Sequence, residues 1–119
     1  MVEFERIVKD SVDEVPERFR SVLEKENIKL LAREKVPEVL QSRFAGQNKL
    51  IFGVFVGVPH TKRSVFNIQQ EPTRIELYKE SFEKAFGSEQ DIENQIIKTV
   101  VHEIGHYFGF SEEELQSYL

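Results

Sequence analysis

The chain reads as an α+β domain, a small mixed sheet packed with helices, and three observations carry that reading. Apolar residues recur at helical spacing near the start (Phe4, Ile7, Val8, Val12) and again near the end (Ile92, Ile96, Val100, Ile104). Between them lie short runs of Val, Ile, Leu and Phe whose length suits strands. At 119 residues the chain has room for one modest core and not for two, so residues 1–119 are expected to form a single domain.

Composition narrows the function. Apolar and charged fractions of 39% and 31% are ordinary for a globular protein, and the ten Phe must supply much of the core because there is no Trp and one Met. A formal net charge of -5 opposes a nucleic-acid binder that works by neutralising phosphates. The absence of Cys removes disulfides, thiol nucleophiles and thiolate metal ligands. The acidic start Met1-Val2-Glu3-Phe4-Glu5-Arg6 lacks the apolar run of a signal peptide, and no apolar stretch reaches the roughly eighteen residues that span a bilayer. The expected location is the cytoplasm, with neither a membrane nor a nucleic acid as partner.

Taken in order, a first helix is predicted over about residues 3–12. Pro16, which lacks an N–H, suits the first position of a second helix over about 16–26, with Phe19, Val22 and Leu23 inward. Ile28 to Val36 reads as a strand ended by Pro37. Glu38 to Phe44 forms a short helix closed by Gly46. Leu50 to Val58 is the most apolar run and has the length of a strand covered on both faces, with Gly53 and Gly57 marking a bulge or a close backbone approach. Pro59 to Thr73 is a long loop, of the kind that tends to carry function. Arg74 to Tyr78 is a short alternating strand with Ile75 and Leu77 on one face, and Ser81 to Phe86 gives one or two helical turns before Gly87.

Ser88 is placed to cap a helix whose first turns carry Glu89, Asp91 and Glu93, where the dipole favours negative charge. Ile92, Ile96, Val100 and Ile104 form its buried stripe. Gly109 suits the left-handed residue that ends it, with Phe110 as the accompanying apolar contact. Ser111-x-x-Glu114 is a capping box that opens a last short helix, with Leu115, Tyr118 and Leu119 available to pack.

That long helix carries His102-Glu103-Ile104-Gly105-His106. Residues four apart share a helix face, so the two imidazoles can aim at one point, and Glu103 lies about 100° round from His102. This is the spacing at which two His hold zinc and a Glu handles a proton on a metal-bound water. A third ligand is required. With thirteen residues after His106, it is expected from the tail or from upstream, and Glu112, ten residues past His102, is the choice. Glu113, Glu114 and the loop residue His60 are rivals. Three ligands without a thiolate leave one position open, which is the arrangement of catalytic rather than structural zinc. Glu103 would then act as general base and pass its proton to the leaving amine of a peptide or protein substrate. Tyr107, His60, Lys62 and Arg63 are candidates for stabilising the oxyanion. Substrate is expected to lie extended against the Arg74–Tyr78 strand.

His102-Glu103-Ile104-Gly105-His106-Tyr107-Phe108-Gly109, followed by Ser111-Glu112-Glu113-Glu114-Leu115, resembles the small bacterial zincin-like metallopeptidases, a minimal zincin fold. Gly57-Val58-Pro59-His60-Thr61-Lys62-Arg63-Ser64 is similar to the Gly-Val-Pro loop of that family, and the order of elements matches over nearly the whole chain. The resemblance implies a zincin-like α+β domain, zinc on His102 and His106, Glu103 as base, and an acidic third ligand just past Gly109. Glu112 stands where the family more often carries Asp, and the Met-turn of the wider metzincin clan has no counterpart, Met1 being the one Met. The lengthened acid, and a short tail that leaves one wall of the usual cleft missing, motivate the alternative of a non-catalytic or weakly active zincin-fold binding or regulatory protein.

Overall fold

The computed structural model describes residues 1–43, 50–57, 73–109 and 113. Its elements are α1 (Val2–Glu14), α2 (Glu17–Lys25), β1 (Lys29–Arg33), α3 (Glu38–Arg43), β2 (Gly53–Val56), β3 (Arg74–Tyr78), α4 (Lys79–Ala85) and α5 (Glu89–Tyr107). The strands form one sheet in the order β1-β3-β2, with β1 parallel and β2 antiparallel to β3.

α1 buries Phe4, Ile7, Val8 and Ser11, a 3–4 spacing that gives one apolar face. The Ser11 hydroxyl donates to the Ile7 carbonyl at 2.6 Å, so its burial costs little. Pro16 stands at the N-cap of α2, one residue before its expected place. α2 ends where Asn27 adopts a positive φ of 51°. The Ile28 N–H then donates to the Leu23 carbonyl at 2.9 Å and the Asn27 N–H to that of Glu24 at 3.2 Å. This double closure satisfies carbonyls that the helix end would leave bare, and the buried pair Leu23 and Ile28 seals it. The expected closing Gly46, the Pro59–Pro72 part of the long loop and most of the tail helix from Ser111 lie outside the described residues.

The sheet reverses the expected roles of two strands. The run Leu50–Val58 has the length of a strand covered on both faces, yet among the described residues β2 stands at the end of the sheet and its four residues are all half-buried. The short alternating segment is instead the central strand, with Ile75, Leu77 and Tyr78 fully buried. Ile75 and Leu77 face the helices and join Phe4, Phe82, Ile96, Val100, Val101 and Ile104 in the core. The opposite face of β3 is polar and internally satisfied. Glu76, only 8% exposed, accepts from Arg74 Nε at 2.8 Å and from Tyr78 Oη at 3.3 Å, and pairs with Arg33 at 3.5 Å. Burial pushes the Glu76 carboxyl up, but the Arg74 hydrogen bond and the two guanidinium charges outweigh it, so the net direction is down. The same burial, with the charge of Glu76, pushes the Tyr78 hydroxyl up to about 12, which keeps it a donor.

One glycine decides how close the sheet comes to α5. A Cβ on Gly53 would stand 2.6 Å from the Glu76 carbonyl oxygen and 3.2 Å from Thr99 Cγ2. The close approach expected at Gly53 is therefore real, and it locks β2 between β3 and α5. Gly53→Ala is expected to lower unfolding free energy by about 1–3 kcal/mol, the usual cost of overpacking. Urea denaturation measures it, and an unchanged midpoint would show that β2 can move aside.

Candidate active site

α5 starts as expected: the Ser88 hydroxyl accepts from the Asp91 N–H at 3.2 Å, with Glu89 and Asp91 in the first turn. Across its nineteen residues the helix presents three different faces. Ile96, Val100 and Ile104, each at most 1% exposed, point into the core. Thr99, Glu103 and Tyr107, one turn apart, run along β2. His102 and His106 occupy the remaining face, the first half-buried and the second exposed. The helix closes as expected at Gly109, whose φ of +79° few other residues adopt, and its N–H donates to the His106 carbonyl at 3.1 Å.

The two imidazoles lie side by side, ring centres 6.2 Å apart and planes 33° from parallel. Two imidazoles on one tetrahedral zinc, with Zn–N near 2.0–2.1 Å, have ring centres about 5 Å apart. The observed pair is about an ångström wider, and two imidazole nitrogens one turn apart are donors of the kind that zinc takes. Among the described residues no three His, Asp or Glu groups converge to hold a metal. The expected third ligand, Glu112, and its rivals Glu114 and His60 lie outside the described residues, as do Lys62 and Arg63. Glu113 is exposed.

Glu103 lies between His106 and the Phe55 backbone, close enough to feel both. Burial pushes its carboxyl above the usual carboxylate range, opposed in part by the positive charge of His106 and by a backbone hydrogen bond from Phe55. Tyr107, one turn further on, is 7% exposed and stacks on the Phe55 ring at 4.5 Å with planes 26° apart. Phe108 meets it edge-on at 4.8 Å. Of the oxyanion candidates that are described, Tyr107 is thus a packing residue at the joint between α5 and β2.

The hydrogen bonding of the sheet shows which way Phe55 faces. Phe55 pairs with Ile75 and Gly53 with Leu77. The Tyr78 N–H donates to the Phe52 carbonyl at 2.8 Å, so the pair 52 and 78 is bonded, as is 54 and 76. In an antiparallel ladder the alternate pairs, 53 with 77 and 55 with 75, turn their N–H and C=O groups away from each other. The backbone groups of Gly53 and Phe55 therefore point outward from the β2 edge, where no strand pairs with β2 among the described residues. β3 has neighbours on both sides and no such edge, so an extended chain cannot add to Arg74–Tyr78 as expected. The Phe55 amide had no signal in the sequence, because a backbone donor is the same for every residue but Pro.

A mixed three-stranded sheet packed on helices, with two His and a Glu on the last long helix, fits a zincin-like α+β domain. A family model described as zincin-like metallopeptidase matches residues 25–118, and the chain belongs to that family. No curated protein is matched by the chain. Membership implies a metal cofactor, typically zinc. No helix among the described residues is long and apolar enough to cross a membrane.

The raised carboxyl of Glu103 has a consequence for stability in the metal-free protein. A carboxyl whose folded pKa exceeds its unfolded value, near 4.5, favours folding only while protonated, so ionising it costs stability as pH rises through that interval. Glu103→Gln is expected to raise stability at neutral pH and to change it little below pH 4.5. Urea melts at the two pH values test this, and a variant less stable than wild type at neutral pH would contradict it.

Proposed function

We propose that this chain is a zinc-dependent metallopeptidase that hydrolyses peptide bonds with Glu103 as general base. His102 and His106 would hold the ion, with Glu112 as third ligand. When bound, zinc lowers the pKa of a coordinated water toward about 7 and polarises the scissile carbonyl. Glu103 would take a proton from the attacking water and return it to the leaving amine. Its raised pKa suits both halves of that task, because a base poised nearer neutrality also serves as an acid. Extended substrate lies along the edge of β2 that no described strand covers, where the Gly53 N–H and C=O and the Phe55 C=O can pair with a peptide main chain while the Phe55 N–H serves Glu103.

The observation that best supports this reading is the division of labour on α5. Its His pair takes the one face committed neither to the core nor to β2, and its Glu is partly desolvated beside that face.

The test is metal analysis after reconstitution with zinc, together with hydrolysis of a peptide library. Wild type is expected to bind one zinc. His102→Ala and His106→Ala should lose it, and Glu112→Ala should weaken it. Glu103→Gln should keep the metal and lose at least about a hundredfold in rate, the usual contribution of a general base. Failure of wild type to retain zinc would remove the proposal. Zinc binding without hydrolysis of any peptide would favour the binding or regulatory alternative.

A further inference from the structure

β2 touches α5 at three successive turns of one helix face. At Gly53 the backbone passes so near Thr99 that an added Cβ would lie 3.2 Å from its Cγ2. At Phe55 the ring stacks on Tyr107 at 4.5 Å. Between these two packing contacts lies Glu103, whose carboxyl is held down in part by the Phe55 backbone. The ladder register turns the Phe55 N–H out of the sheet, so β3 does not use it. The flanking contacts hold the strand and the helix at a fixed separation, and that separation sets where the donor stands.

We propose that the backbone N–H of Phe55 is the positioning group for Glu103, holding its carboxylate on the strand side of α5 in a single orientation. The catalytic meaning of this rests on the reading of Glu103 as base, while the contact itself does not. A Glu side chain has three rotatable torsions, and the freedom it loses on being fixed must be offset by something. Here a charge-assisted hydrogen bond from a rigid backbone does so, before any substrate arrives. Such a donor cannot be removed by ordinary side-chain substitution. The residues that tune it are those that set the spacing, Gly53 and Tyr107.

Amide hydrogen exchange followed by NMR on the full-length, metal-free protein tests the proposal. In Glu103→Ala the Phe55 amide is expected to exchange about fivefold faster or more, the factor one hydrogen bond supplies. Glu103→Gln, which keeps a side-chain carbonyl, should restore most of the protection. The Val54 amide points to β3 and reports whether the sheet is intact. Equal Phe55 exchange in wild type and Glu103→Ala, or failure of Gln to rescue it, would overturn the proposal. If Glu103→Ala also speeds Val54, replacing the Phe55 amide by an ester, with the ring kept, decides the matter. The Glu103 side-chain carboxyl carbon signal should then shift, and an unmoved signal would overturn the idea. Both measurements are made without metal or substrate, so they stand apart from whether the protein proves to be a peptidase.

Discussion

The rest of the structure depends on α5 being gripped from two sides. One side is the core, where Ile96, Val100 and Ile104 pack with residues of α1, α2, α4 and β3. The other is β2, which Gly53 lets approach to within contact of Thr99. A helix held on one face can roll, whereas one held on two faces about a quarter turn apart cannot. The direction of the two His follows from that constraint, since they occupy what remains of the circumference.

Two glutamates show how the fold uses buried charge for opposite ends. Glu76 sits in the central strand among Arg74, Arg33 and Tyr78, and its carboxyl is held below the usual range. It is fully compensated, and it lets a polar face be buried on the middle strand of the sheet. Glu103 is also partly removed from water, but its compensation falls short and its carboxyl is pushed upward. The first arrangement favours stability and the second costs some of it at neutral pH.

The β2 edge that no described strand covers and the helix α5 meet at Phe55. Its ring anchors the helix through Tyr107 and its backbone faces Glu103, so one residue joins the wall of the site to its chemistry. That economy suits a small domain, which has few elements with which to build a cleft. It also places the Glu103 carboxylate beside the backbone groups that β3 leaves unused.

Local signals in the sequence determined the helices and the motif, because those depend on residues near one another in the chain. Ser88 as cap, the Ile stripe of α5, Gly109 as terminator and the His pair one turn apart all follow from the 3.6-residue period and from single-residue conformational preferences. The strand of residues 74–78 was legible in its limits but not in its place. Alternation suggested a half-buried strand, and only the pairing of Arg74 and Arg33 with Glu76 explains how it came to lie in the middle. The apolar run around Gly53 suggested a buried strand and proved to be the outer one, because burial on a sheet is set by which strands pair, a contact between distant residues. The orientation of the Phe55 amide, and with it the setting of Glu103, belongs wholly to the tertiary structure. It arises from ladder register and from the distance between a strand and a helix whose touching residues are more than forty positions apart, neither of which any local pattern encodes.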